Sequence, residues 1–190
     1  YQMEETKMKT KIKTVFTPNA TSQLIVEDTV KLIKKKVDAL DLGCGEGYIG
    51  LNIYKKQKKN IKSFSFSDLS KKATKRCKRN LTKEKLKAIV KNGSMFGPWK
   101  NKKFDLIVES VSAISEPVAN RSPWYNKNIP CHAGIDGTKL VNKILLKAKN
   151  YLKKDGKIIF PIVSFSKKEK IINLAKKNYK KIKLLSLKDW

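Results

Sequence analysis

"VDALDLGCGEGYIG", residues 37–50, decides the fold. Residues 37–43 read as a buried strand that ends in a glycine turn, and "YIGLNIYKKQ" after it reads as a helix. Gly43, Gly45 and Gly47 follow the strand directly. Glycine there lets the backbone pass close to a ligand and turn sharply into the helix. Gly45, Gly47 and Gly50 also satisfy G-x-G-x-x-G, the dinucleotide fingerprint, a pattern of low specificity by itself.

Outward from this unit, strands and helices alternate. Upstream, "TPNATSQLIVEDTVKLIKKK" spaces Leu24, Ile25, Leu32 and Ile33 as a helix does, with Thr21 or Ser22 as its cap. Downstream, "IKSFSFSD" alternates as a strand. "SKKATKRCKRN" sets Ala73 and Cys77 beneath a very basic helical face. "KAIV" and "FDLIVES" are short strands, and residues 111–135 form a long irregular loop, of a length that is often functional. "DGTKLVNKILLKAKNYLKKDG" carries an apolar stripe from Leu140 to Leu152 that includes Ile144, Leu145 and Tyr151, with Asp136 near its start and Gly156 at its stop. "KIIFPIV" is a strand, "KKEKIINLAKKNY" a helix and "KIKLLSL" a last strand. The pattern predicts an α/β domain over 1–190: a doubly wound, mostly parallel sheet with its ligand at the carboxyl ends of the strands.

The chain has 190 residues and a formal net charge of +28, and only Arg76, Arg79 and Arg121 are arginine. Lysine in place of arginine fits an AT-rich genome, but that does not explain the scarcity of carboxylates. A field this positive attracts polyanions. The alternatives are therefore nucleic-acid or ribosome contact, or background composition. Cys44, Cys77 and Cys131 do not pair by spacing, which fits a reducing, cytoplasmic setting. No run is apolar enough to span a membrane. Residues 1–15 are polar and lysine-rich and begin at Tyr1 rather than a methionine, as expected of a fragment.

Asp41 and Asp68 bear on the cofactor. A carboxylate at Asp41, just before the glycine turn, would repel a pyrophosphate but not a sulfonium or an ammonium. Asp68 ends the second strand, where a carboxylate can accept both ribose hydroxyls. An NAD-linked enzyme is accordingly the weaker reading.

At this point the chain resembles the class I S-adenosylmethionine-dependent methyltransferases. "VDALDLGCGEGYIG" is similar to their motif I, "FSFSDLSKKATKRCKRN" to their second acidic segment, and "NKKFDLIVES" to their fourth strand. "VFTPNATSQLIVEDTV" resembles the helix approach of the small-domain subgroup, which includes release-factor glutamine and ribosomal RNA guanine methyltransferases. The resemblance covers roughly residues 14–165 and implies a Rossmann-like fold with S-adenosylmethionine as cofactor. It places Gly43, Gly45 and Gly47 at the methionine end and gives Asp41 the ordering of that loop or a water-mediated contact to the amino group. Asp68 falls to the ribose and Leu69 to the adenine, while Asn92, Gly93 and Ser94 fall near the adenine amine. Two departures stand out. Ser110, Val111, Ser112 and Ala113 hold the places of an Asn-Pro-Pro-Tyr motif, and the chain stops at Trp190 before a reversed seventh strand.

Methyl transfer needs alignment of the acceptor lone pair more than it needs a base. Glu109, at the end of the fourth strand, is the candidate to orient or deprotonate an acceptor, with Ser110 beside it as a second catalytic candidate. Ser112 can hydrogen-bond an acceptor, Trp124 and Tyr125 can stack on one, and His132 can act as a base. Each also has a purely structural reading. Cys131 has no neighbours in sequence that would complete a zinc site, so no metal is expected. The leading reading is methyl transfer to a nitrogen of RNA or of a translation protein. A methyltransferase-like binding module without chemistry and a small-molecule methyltransferase are the alternatives.

Overall fold

The computed structural model describes residues 17–122, 125, 129 and 131–188. Five strands form one sheet: β1 (Val37–Leu42), β2 (Ile61–Asp68), β3 (Ile89–Asn92), β4 (Phe104–Glu109) and β5 (Leu152–Ile159). Every pairing is parallel and the order is β3-β2-β1-β4-β5. The expected α/β class and parallel sheet are therefore found. β1 lies at the centre, and the chain winds from it to β2 on one side and later to β4 on the other. The chain leaves β1 and β4 to cover opposite faces of the sheet, which opens a crevice at the carboxyl ends of the strands.

Both faces of the sheet are covered, as a parallel sheet requires. On one face, α1 (Ala20–Leu32), α2 (Tyr48–Gln57) and α3 (Lys71–Lys83) bury Ile25, Ile53 and Cys77 against Ala39, Phe66 and Val108. Side chains alternate along a strand, so Leu40 and Leu42 of β1 enter the opposite cluster. That cluster also holds Trp99, Phe104, Ile107 and Ile144, the last from α5 (Lys139–Ala148). α6 (Lys168–Asn178) packs outside α5 through Ile171 and Ala175. The four-residue α4 (Glu116–Ala119) lies in the long loop after β4.

Local chemistry sets the helix starts. α1 opens with a reciprocal cap: Asn19 Oδ1 accepts the Ser22 N–H at 3.2 Å, and Ser22 Oγ accepts the Asn19 N–H at 3.3 Å. The cap is thus Asn19 rather than Thr21 or Ser22, and Ser22 serves as its partner three residues on. Ser70 caps α3 through the Ala73 N–H at 3.2 Å.

Three expectations about the second half need correction. The apolar stripe from Leu140 to Leu152 is not one helix, because α5 ends at Ala148. Tyr151 instead stacks on Phe96 at 4.4 Å, and Leu152 already pairs with Phe104 in the sheet. The stripe stays buried across a change of element, so its period alone could not reveal the boundary. Gly156 lies inside β5 rather than at a helix stop, beside a register irregularity where Asp155 has φ 62°. Finally, residues 181–188 are not a strand. Ser186 donates to Asp28 of α1 at 2.8 Å and Leu185 packs on the α1 side of the core, while Ile182, Leu184 and Leu187 stay exposed, so the pattern marks no buried strand face. No sixth strand occurs among the described residues.

Candidate functional site

A cavity of about 490 Å³ opens at the carboxyl ends of β1, β2 and β4. Its floor is the glycine turn. Gly43 has φ +80°, and a Cβ on it would lie 2.7 Å from Val111 Cγ1, so only glycine lets the turn and the loop after β4 approach so closely. Ser110 Oγ donates to Gly43 O at 3.1 Å and ties the two loops together. Gly43, Gly45 and Ser110 all face the cavity. Gly47 does not: it turns the chain into α2 with φ +86° and faces Cys77.

Asp41 is fully buried and also lies outside the wall. Its Oδ2 accepts the Gly50 N–H at 2.8 Å, so a carboxylate on β1 caps α2 from below. Burial pushes its carboxyl up to about 7, against the lowering effect of the Gly50 N–H. Of its two expected roles, ordering the loop matches this geometry. Asp41 does not face the ligand space, so it does not set itself against a pyrophosphate there as its sequence position suggests.

Asp68 does face it. Its Oδ2 accepts the Gly45 N–H at 2.9 Å and its Oδ1 the Ser70 N–H at 2.8 Å. One carboxylate thus holds the glycine turn and the start of α3, and each oxygen keeps a lone pair for a ligand. Leu69, 67% exposed, and Gly93 and Ser94 extend this wall. Asn92 stands behind it, donating to Asp68 O at 3.0 Å and Leu69 O at 2.9 Å.

The loop after β4 builds the opposite wall, where Ser112, Tyr125 and His132 come together around the cavity. Ser112 Oγ bonds Tyr125 Oη at 3.2 Å and meets Cys131 Sγ at 2.9 Å, while Cys131 donates to Ile114 O at 3.1 Å. Burial raises the Tyr125 phenol, which keeps it protonated. Trp124 lies outside the described residues.

Glu109 is fully buried and is not part of the wall, so in this structure it does not reach an acceptor. Its Oε1 accepts the Val111 N–H at 2.8 Å, and its Oε2 is buried without a hydrogen-bond partner among the described residues. Burial pushes its carboxyl up to about 8. The side chain instead fixes the turn from which Ser110 and Val111 face the cavity.

The charge around the cavity is unexpected for this chain. Among the described lining residues there is no lysine or arginine, although the sequence holds 44 of them. The charged residues that line it are Glu46 and Asp68, and Glu46 is paired with Arg76 at 2.7 Å. The described part of the wall suits a cation and holds no side-chain cation to pair with a pyrophosphate. The sequence reading missed several apolar contributors, among them Met95, Ile129, Pro161 and Val163. No motif marks them, because the fold brings them in from separate loops. Among the described residues, no helix is long and apolar enough to cross a membrane.

The family model for the methyltransferase small domain matches residues 13–110. A bifunctional methyltransferase from Rickettsia typhi is 31% identical over 162 residues, covering 82% of this chain and 30% of its own length. The ribosomal RNA small subunit methyltransferase C of Haemophilus ducreyi is 30% identical over 141 residues, covering 74% of this chain and 36% of its own. The chain therefore spans about a third of the length of these curated relatives. A T. thermophilus 16S rRNA methyltransferase, solved with AdoMet and guanosine, shares the fold with a TM-score of 0.68 at 17% identity, over 92% of this chain and 43% of that one. The chain belongs to the methyltransferase small domain family.

Proposed function

We propose that this member of the methyltransferase small domain family binds S-adenosylmethionine and directs methyl transfer to an uncharged nitrogen of RNA. The carrying observation is the cavity wall, which bears carboxylates and no described cation in a chain of net charge +28. That wall suits a ligand with a sulfonium and an ammonium and no phosphate. When bound, the cofactor supplies an electrophilic methyl group. Asp68 would accept the ribose hydroxyls while it keeps Gly45 and Ser70 in place. The glycine turn would hold the methionine end, and Leu69, Gly93 and Ser94 the adenine side.

The acceptor side points to an uncharged group. Ser112, Tyr125 and His132 line it, and no carboxylate among the described residues does. An ammonium would meet no counter-charge and no carboxylate base there. A base edge can take hydrogen bonds from these side chains and stack against Tyr125. The basic composition and the ribosomal RNA methyltransferase among its relatives support RNA over protein. The chemistry itself asks little of the chain: alignment of the lone pair and exclusion of water.

The test is transfer of labelled methyl from S-adenosylmethionine into a cell extract, followed by nuclease or protease. Label lost to nuclease and retained after protease is expected. Label lost only to protease moves the acceptor to protein. No incorporation into any fraction, with cofactor bound, leaves the alternative of a binding module without chemistry.

A further inference from the structure

We infer that the outer face of α3 is an RNA-docking surface that leads into the cavity; the inference rests on the reading of an RNA acceptor. α3 buries Ala73, Thr74, Cys77 and Leu81. Its other side exposes Lys71, Lys72, Lys75, Lys78, Arg79 and Lys83. The helix contains no acidic residue, and among the described residues none of these six forms an ion pair. Arg76, the remaining cation, is held by Glu46.

This arrangement works against the helix. Lys71 and Lys75, Lys75 and Arg79, and Arg79 and Lys83 stand four residues apart, where like charges repel. Lys71 and Lys72 occupy the first turn, where the helix dipole disfavours cations. A bound polyanion relieves both. Other helices are less one-sided: Lys55 of α2 pairs with Glu84, and Lys170 of α6 with Asp136. α5 also carries no acidic residue, but its exposed cations are three, Lys139, Lys143 and Lys147, against six on α3.

Position links the face to the site. Leu69, Ser70 and Ala73, at the start of α3, belong to the cavity wall. A strand lying along the helix therefore arrives at the mouth. Each four-residue step advances about 6 Å, of the order of the separation between successive phosphates. Lysine serves phosphate as a point charge, and a row of cations at one regular step matches the evenly spaced phosphates of a strand better than the scattered carboxylates of a folded acidic protein. An acidic protein is therefore the less fitting occupant.

The test compares two variants that lose equal charge. One carries Lys71→Gln, Lys75→Gln, Lys78→Gln and Arg79→Gln. The other carries Lys168→Gln, Lys176→Gln, Lys177→Gln and Lys180→Gln, on and just beyond α6. Each is titrated with a fluorescent 20-nucleotide single-stranded RNA (about 20 residues suffices to span the helix) and with polyglutamate. The α3 variant is expected to bind RNA at least about tenfold more weakly near 100 mM salt, with a salt slope shallower by about 3. The α6 variant should change less than about threefold. Thermal melting of the α3 variant should be unchanged or raised, since repulsion is removed. Equal losses in both variants would overturn the surface in favour of a diffuse field. So would polyglutamate binding as strong as RNA binding and equally dependent on α3. Titration of S-adenosylmethionine in the same samples separates the two ideas: loss of RNA binding with α3 alone stands even if wild type fails to bind cofactor, which would instead sink the proposed activity.

Discussion

Asp41 Oδ2 accepts the Gly50 N–H at 2.8 Å, and this bond joins the central strand to the helix that follows the glycine turn. Gly47, at the cap position of α2, has no side chain to satisfy the N–H groups of the first turn. Asp41 satisfies one of them, that of Gly50, from the preceding strand. Asp41→Ala would leave the Gly50 N–H buried and unpaired, at a cost of about 1–3 kcal/mol. Urea unfolding should show that loss, and cofactor affinity should fall with it. Asp41→Asn keeps an acceptor and should lose less.

Gly50 has no room for a methyl group. A Cβ there would lie 2.3 Å from Phe66 Cε1 and 3.0 Å from Asp41 Oδ2. Phe66 is buried in β2 and stacked on Phe64 at 4.9 Å, so the ring cannot withdraw freely. Gly50→Ala should destabilise by about 1–3 kcal/mol, despite alanine's better helix propensity. An unchanged or raised melting temperature would contradict this packing.

Two buried carboxyls make stability depend on pH. Asp41 is raised from 3.8 to about 7, and Glu109 from 4.5 to about 8. Between the ordinary and raised values the folded chain holds protons that the unfolded chain has released. Stability from these groups is full below about pH 4 and falls as pH rises, until it is lost once pH passes about 7 and 8. The slope is at most about 1.4 kcal/mol per pH unit for each group. Glu109→Gln cannot ionise, so its urea-unfolding stability should fall less between about pH 5 and pH 8 than that of wild type. Equal falls would show that Glu109 does not titrate there.

Asp68 faces the cavity and is only part-buried, so water can replace it at the two backbone N–H groups it holds, and it should matter more for binding than for folding. Asp68→Ala should weaken S-adenosylmethionine binding by roughly 10–100-fold, the range for hydrogen bonds to a charged group. Asp68→Asn should be intermediate. Calorimetric titration reads both.

The Tyr125 hydroxyl, bonded to Ser112, is the polar end of the acceptor wall. Tyr125→Phe keeps the ring and removes that group. Cofactor affinity should be unchanged while methyl transfer into RNA falls by roughly tenfold, the worth of one hydrogen bond. Weakened cofactor binding instead would move Tyr125 from the acceptor side to the cofactor side.

The central part of the fold was legible because its signals are local. The strand and glycine turn at 37–50 and the alternation at 61–68 describe themselves. The α5 boundary was hidden, because Tyr151 and Leu152 remain buried after the helix ends. The tail at 181–188 alternates like a strand but is held by α1 instead. In the site, Gly43, Gly45, Asp68 and Ser112 were readable as wall residues from their place at strand ends. Asp41 and Glu109 stand at strand ends too, yet their side chains point into the protein. Sequence position cannot show which way a strand's last carboxylate faces when the loop beyond it is irregular. The absence of cations among the described lining residues was also invisible, because it depends on where 44 basic residues end up.

Calorimetric titration with S-adenosylmethionine and, separately, with NAD tests the central claim most directly. A wall with Asp68 and no described cation should bind S-adenosylmethionine with micromolar affinity and leave NAD unbound. Binding of NAD in its place, or no heat from S-adenosylmethionine up to millimolar concentration in a folded sample, would contradict the account.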